Sequence, residues 1–227
     1  MGYWVNMEEP YITYENKYIE SVWYLLKEIY KKGLIYKGYT IQPYSPKAGT
    51  GLSTHELNQP GTYRDVKDTS AVAQFKVLPE FVSVIESKLE EGKILNSLYL
   101  IAWTTTPWTL PSNTALTVGP EIDYVVINTS NKYSGELISV VVAEALVSKH
   151  FPVKKGGEFE IIAKVKGKEL VGMKYEQLLK WAQPMENPDQ AFRVIPGDFV
   201  TTEDGTGIVH TAPTFGADDA KVANDAG

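Results

Sequence analysis

The sequence predicts a β-rich α/β fold in which the strands form a mixed barrel with peripheral helices. Two observations carry this. Apolar or alternating runs of strand length outnumber helical patterns along the 227 residues, and the two kinds alternate irregularly. There are also no internal repeats or low-complexity tracts. A chain of this length can bury a real core, either as one large domain or as a domain with an appendage.

The elements follow in order. Tyr14 to Lys32 predicts a helix, because Ile19, Val22, Trp23, Leu26, Ile29 and Tyr30 recur at three- and four-residue spacing. Thr13 suits the N-cap and Gly33 the left-handed stop, and the apolar face predicts packing onto a core. Leu34 to Ser45 reads as extended and ends at Pro43 and Pro46. Lys47 to Glu56 reads as a glycine-containing loop that leaves His55 at the surface. Ser70–Val77 predicts a strand and Pro79–Glu91 a short helix closed by Gly92. Ser97–Thr105 is the expected central strand, with further strands at Asp123–Asn128, Glu136–Val142 and Phe159–Val165. Ala143–Lys149 predicts a short helix that ends just before His150, and Gly167–Leu170 a turn. Leu178–Trp181 is ambiguous and Asn187–Gln190 is a turn. Ala191–Ile195 and Thr206–Thr211 are strands, and Asp204-Gly205 is a hairpin signal after Phe199–Glu203. Ala217–Ala226 predicts the last helix. Gly207, early in its strand, allows a ligand or another backbone to approach closely.

Composition removes several function classes. There is no cysteine, so disulfides and thiolate metal sites are excluded. The three histidines are far apart in sequence, which argues against a zinc site built on histidine. No run of eighteen apolar residues indicates a membrane span, and Met1 to Pro10 lacks a signal-peptide pattern. The net charge of −6 counts against a broad nucleic-acid surface but is compatible with a small contact to an RNA end. The basic clusters Lys31-Lys32, Lys154-Lys155 and Lys164, Lys166, Lys168 read as solvated surface.

The chemistry-bearing stretch is Trp103 to Thr114, Trp-Thr-Thr-Thr-Pro-Trp-Thr-Leu-Pro-Ser-Asn-Thr, directly after the apolar run Leu98–Ala102. Pro107 steers Thr106 away from the α region, so the chain turns where the hydroxyls cluster. Pro107 and Pro111 stiffen the turn. Such a loop is either a threonine-rich β edge with a proline turn or a cradle for a polar neutral ligand. Taken alone, Asp219 reads as a helix N-terminal charge and His210 as a satisfied strand-end histidine.

The threonine stretch resembles the editing-domain motif of the class I aminoacyl-tRNA synthetases, in its isoleucyl form. Valyl and leucyl relatives usually carry Thr-Thr-Arg-Pro, and Thr106 stands where they have Arg. A second stretch fits the same family: Gly205-Thr206-Gly207-Ile208-Val209-His210-Thr211-Ala212-Pro213, followed by Phe215-Gly216-Ala217-Asp218-Asp219. The likeness extends to Gly38–Glu56 and Gln59–Lys67, nearly the whole chain. It implies a domain inserted in a class I synthetase core, with residues 1–45 as a junction segment and 46–227 as the editing domain.

The resemblance also implies roles. Asp219 binds the α-ammonium of an aminoacyl group, with Asp218 as the less favoured neighbour. Thr104, Thr105 and Thr106 surround the ester and terminal ribose. His210 lies in the side-chain pocket. Asn113 supports the loop or contacts adenosine, and Trp103 and Thr211 join the substrate-binding set. The implied reaction is deacylation of valyl-tRNA(Ile) by a positioned water, with the substrate's ribose hydroxyl assisting. No metal or cofactor takes part, since ATP serves only the aminoacylation core. The His-x-Gly-His and Lys-Met-Ser-Lys-Ser motifs of that core are missing from the sequence. The implied partners are the tRNA(Ile) acceptor end, the valine or isoleucine aminoacyl group and the remainder of a cytoplasmic synthetase, with no membrane. One methylene separates valine from isoleucine and is worth only about 1–3 kcal/mol in an apolar pocket, and this amino-acid pair is itself the established example of that limit. A second, smaller pocket overcomes it. The competing readings are a noncatalytic tRNA-end binding module, a valyl-type domain that clears threonine, and a generic carbohydrate- or peptide-binding β domain. Arginine missing at position 106 argues against the valyl type. The tyrosines, scattered and concentrated before residue 64, give little sign of a groove for the generic binder.

Overall fold

Two central strands carry apolar side chains on both faces and set the architecture. Val125, Val126 and Ile127, like Val141, Val142 and Ala143, are completely buried. Strands covered on both faces read as continuous apolar runs rather than as alternating patterns. The computed structural model describes residues 2, 4, 6–38, 40–152 and 159–227. The Lys154-Lys155 cluster lies outside them. The chain divides into two compact units, Met1–Gln42 and Pro43–Gly227.

The first unit holds helix α1, Asn16–Lys31, close to the predicted span. Gly33 follows it with φ +70°, as its role of helix stop requires. The N-cap is Glu15 rather than Thr13, and no side chain caps it. The predicted apolar stripe is present, but no residue of α1 is buried and Trp23 is 71% exposed. The periodicity therefore identified the helix and misjudged its environment. Among its described residues, the predicted extended stretch forms no strand before Tyr44–Ser45.

The second unit opens with a two-residue hairpin, β1 (Tyr44–Ser45) against β2 (Thr50–Gly51). The predicted loop also hides one helical turn, α2 (Thr54–Leu57), whose capping box pairs Ser53 with Glu56. The Ser-x-x-Glu signal was present in the sequence. His55 lies exposed on that turn, its ring 3.1 Å from the Gln59 amide.

Strand β3 (Ala71–Lys76) leads through a 3-10 turn to α3 (Ser83–Glu86), shorter than expected because Leu89 instead bridges to Ala163. Strand β4 (Ser97–Thr104) then delivers the threonine loop. Strand β5 (Ala115–Val118) was not predicted, although all four of its residues are buried. After β5 come β6 (Asp123–Ser130), β7 (Leu137–Ala143), α4 (Val147–His150) and β8 (Phe159–Lys166). Gly167–Leu170 is helix α5 rather than a turn. The chain ends with β9 (Arg193–Pro196), β10 (Ile208–Thr211) and α6 (Ala217–Ala226).

The strands make a mixed five-stranded sheet, β3-β4-β7-β6-β8, in which only β4 and β7 run parallel, and a three-stranded sheet, β10-β5-β9. The ladders recorded among the described residues do not close into a ring. The hairpin expected at Asp204-Gly205 is replaced by a turn, and β10 pairs with β5 instead. Hydrogen bonds link the sheets: the Ala143 amide donates to the Thr206 carbonyl at 2.9 Å, and the buried Tyr124 hydroxyl accepts from the Gly119 amide at 3.2 Å and donates to the Gly207 carbonyl. Strand β10 packs against β4, and this brings the two motifs of the sequence together. No described helix is long and apolar enough to cross a membrane.

Candidate active site

The site begins where β4 ends. Thr104 is its last residue, and Pro107 opens a 3-10 helix that runs to Ser112. Thr106, caught between them, takes φ −124° and ψ 64°, outside the α region as a residue before proline should. The buried Thr104 Oγ1 accepts from the Thr106 amide at 3.0 Å and lies 3.3 Å from the Thr106 hydroxyl. Thr104 thus holds the turn, while Thr105 and Thr106 are exposed.

A cleft of about 550 Å³ opens beside this turn. Trp103, Thr104, Thr105, Thr106, His210 and Asp219 all line it, although about a hundred residues separate the two groups in sequence. Asn113 and Thr211 do not. Asn113 lies behind the wall, buried against His210. Thr211 follows His210 along β10, so its side chain takes the opposite face. There its hydroxyl pairs with that of Thr117 at 2.6 Å.

His210 is buried, and both its ring nitrogens are occupied. The Asn113 amide nitrogen donates to the Ala115 carbonyl at 2.8 Å, which orients the amide, because a carbonyl can only accept. The same nitrogen lies 3.0 Å from Nδ1, so Nδ1 accepts and the ring proton sits on Nε2. Nε2 lies 3.0 Å from the Thr109 hydroxyl, which itself donates to the Thr106 carbonyl at 2.8 Å. A protonated ring would set an N–H against the Asn113 amide.

Burial pulls the imidazole down from 6.5 to about 4. The unfolded chain takes up this proton near pH 6.5 and the folded chain only near 4, so acid favours unfolding between those values. Relative to His210→Gln, the chain should therefore lose about 3 kcal/mol of stability between pH 6.5 and 4. Urea midpoints recorded at a series of pH values check this. Parallel pH profiles for the two proteins would overturn it.

Asp219 lies in the first turn of α6 and is partly buried, whereas Asp218 is exposed and off the cleft. Its Oδ2 accepts from the Ala212 amide at 2.9 Å. Burial raises its carboxyl above the ordinary value, the Ala212 hydrogen bond opposes this, and Asp218 adds to the rise. The helix N-terminus also favours the carboxylate. The cleft thus combines the anchored Asp219 and the exposed Asp204 with the exposed hydroxyls of Thr105, Thr106 and Thr201 and a neutral imidazole. Among the described residues, no group of three or more His, Asp or Glu could together hold a metal ion.

Two residues around His210 escaped the sequence reading. Thr109 carries a weak signal, its three-residue spacing from Thr106 in a proline-bracketed turn. Tyr175, whose hydroxyl donates to Asn113 Oδ1 at 2.7 Å, carries none.

The family model for class I tRNA synthetases (I, L, M and V) matches residues 1–203. The chain belongs to the class I tRNA synthetases. All of this synthetase chain aligns at 58% identity with the isoleucine–tRNA ligase of Bacteroides thetaiotaomicron, of which it covers 21%. It aligns likewise at 60% with that of Bacteroides fragilis, covering 20% of it. The ligase of Clostridium acetobutylicum is 48% identical over 96% of the chain, covering 18% of that protein. The synthetase chain therefore spans about a fifth of the length of these curated relatives. Its fold is that of synthetase editing domains. The editing domain of the P. falciparum cytosolic leucyl-tRNA synthetase superposes with a TM-score of 0.52 at 13% identity, over 69% of this chain and 65% of that one. The crystal structure of GlLeuRS-CP1 gives 0.53 at 21% identity, over 69% and 59%.

Proposed function

We propose that the chain is the editing hydrolase of an isoleucine-specific synthetase and deacylates valyl-tRNA(Ile). The observation that carries this reading is the meeting of Asp219 with Thr105 and Thr106 in one cleft walled by neutral His210. In this reading Asp219 receives the α-ammonium and fixes the ester carbonyl over the threonine turn. Thr104, Thr105 and Thr106 surround the ester and terminal ribose. Water attacks the carbonyl carbon, the ester C–O bond breaks, and the ribose oxygen leaves with a proton. Hydroxyls and backbone amides of the turn stabilise the oxyanion. His210 is a poor general base, because its Nδ1 lone pair is engaged and its proton affinity is low. The neighbouring hydroxyl of the substrate ribose is the better candidate to assist the water. His210 instead forms the wall that admits valine and excludes isoleucine.

In the same reading Asn113 and Thr211 support the site from behind, and no cofactor is needed. Residues 1–45 are the junction to a cytoplasmic synthetase core, and residues 46–227 are the editing domain, its two sheets forming a barrel-like body. The remainder of that synthetase delivers the tRNA(Ile) acceptor end.

The test is hydrolysis of valyl-tRNA(Ile) and isoleucyl-tRNA(Ile) by the chain. The expected result is loss of valine at a rate at least about a hundredfold above that of isoleucine, a direction that attraction cannot supply, because an extra methylene favours the larger side chain. Equal rates would remove the steric sieve. Binding of the tRNA end with neither ester hydrolysed, by this chain or within the full-length synthetase, would leave a noncatalytic module.

A further inference from the structure

The hydrogen bonds around His210 form a chain with one direction, which the Ala115 and Thr106 carbonyls set. The Tyr175 hydroxyl donates to Asn113 Oδ1 at 2.7 Å. The Asn113 amide nitrogen donates to Nδ1 of His210 and to the Ala115 carbonyl. Nε2–H then donates to the Thr109 hydroxyl, and that hydroxyl donates to the Thr106 carbonyl. Neither carbonyl can donate, so the direction cannot reverse without leaving a buried group unpaired. Tyr175, Asn113, His210 and Thr109 are all buried.

Tyr175 is well placed to anchor this chain. Its ring meets Phe75 edge-on at 5.2 Å and Phe192 at 6.3 Å. Its backbone bridges to Val77, and its amide donates to the Phe192 carbonyl at 2.9 Å. Burial holds its phenol well above the ordinary value, so the hydroxyl remains a donor at neutral pH. The histidine shift has burial as its only cause, with no charged neighbour contributing.

We propose that Tyr175 is a positioning residue: it clamps the Asn113 amide that the Ala115 carbonyl orients and so holds the neutral, Nε2-protonated His210 ring in place, and through Thr109 the same chain fixes the Thr106 carbonyl at the cleft. Selectivity then depends on a tyrosine that does not line the cleft. This consequence rests on the hydrolytic reading above, whereas the tautomer does not. A wall that must distinguish two aliphatic side chains by one methylene has to be rigid, and a ring held at both nitrogens cannot flip without breaking two buried hydrogen bonds.

The experiment combines ¹⁵N NMR of the histidine rings with deacylation of valyl- and isoleucyl-tRNA(Ile). It uses the chain, Tyr175→Phe, Thr109→Val and the conservative Thr109→Ser, with the signals of His55 and His150 assigned by substitution. The unsubstituted chain should show His210 with a protonated Nε2 and a bare Nδ1 from pH 5 to 8. In Tyr175→Phe the Ala115 carbonyl still orients the Asn113 amide, but Oδ1 loses its donor and the amide its clamp, so the ring should keep its Nε2 proton while the Nδ1 signal shifts and broadens, and Thr109→Val should disturb Nε2 in the same way. Preference for valine should fall about tenfold in both, the scale of one net hydrogen bond, and return in Thr109→Ser. A protonated Nδ1 in the unsubstituted chain, or an unchanged ring in Tyr175→Phe, overturns the proposal. A changed ring with unchanged preference overturns the positioning role. If the unsubstituted chain hydrolyses neither ester, the hydrolytic reading fails, while the ring spectra still decide whether the chain of hydrogen bonds sets the tautomer.

Discussion

Asp219→Ala is expected to lower kcat/KM for valyl-tRNA(Ile) about a hundredfold, which corresponds to about 3 kcal/mol of lost transition-state binding. A hydrogen-bonded carboxylate facing an ammonium ion in a partly dewatered cleft is a strong interaction, and alanine leaves that ammonium without a partner. Asp219 suits the task because one oxygen is already fixed by the Ala212 amide. The carboxylate therefore loses little freedom on binding. Asp218→Ala supplies the control. Asp218 adjoins Asp219, has a similar effect on helix charge and is exposed away from the cleft. Its replacement should change the rate by less than about threefold, as surface substitutions do. Equal effects from the two alanines would move the ammonium site away from Asp219. Asp219→Asn would separate charge from shape, because it keeps the size of the side chain and loses the charge.

The second large effect is on stability. Gly207→Ala should cost about 3 kcal/mol or more, measured as a shift of the urea midpoint at unchanged slope. Two causes add. Gly207 has φ +76°, a conformation that costs an L-residue about 1–2 kcal/mol. A methyl group there would also lie 2.4 Å from Cβ of Ala143, which is fully buried at the end of β7. Overpacking of this kind costs about 1–3 kcal/mol. The junction is further pinned by the Tyr124 hydroxyl on the Gly207 carbonyl, so the backbone cannot easily retreat. Gly135→Ala isolates the first cause, since Gly135 has φ +75° with nothing within 4 Å of the added carbon. It should cost about 1–2 kcal/mol. If Gly207→Ala costs no more than Gly135→Ala, the close approach of the two sheets is not what requires glycine.

Elements whose signals are local are legible in the amino-acid order alone. The period of α1, the apolar run of β4, the threonine-proline turn and the acidic start of α6 could all be read residue by residue, and the structure has them near their expected limits. The glycine at 207 could likewise be read as a point of close approach, although the approaching residue, Ala143, could not be named. Two motifs also marked the family and the candidate residues, because a site's residue types and spacing are written directly in the chain.

Tertiary structure decided the rest, for reasons that do not appear in any local window. Strand β5 is short and follows a proline turn, so only its pairing with β10 and β9 makes it a strand. Gly167–Leu170 opens on a glycine and is too short for its three good helix formers to announce a helix, and it coils where the Glu169 carboxylate accepts from the Lys166 amide and Leu170 packs. The stripe of α1 looked like a core face, yet periodicity specifies a face and not what covers it. Most of the site's division of labour arose in the same way. His210 and Thr211 are neighbours in sequence, but the strand alternation puts one at the cleft and the other behind it. Tyr175 reaches the site through Asn113 from 62 residues away, a contact that exists only once both sheets have packed.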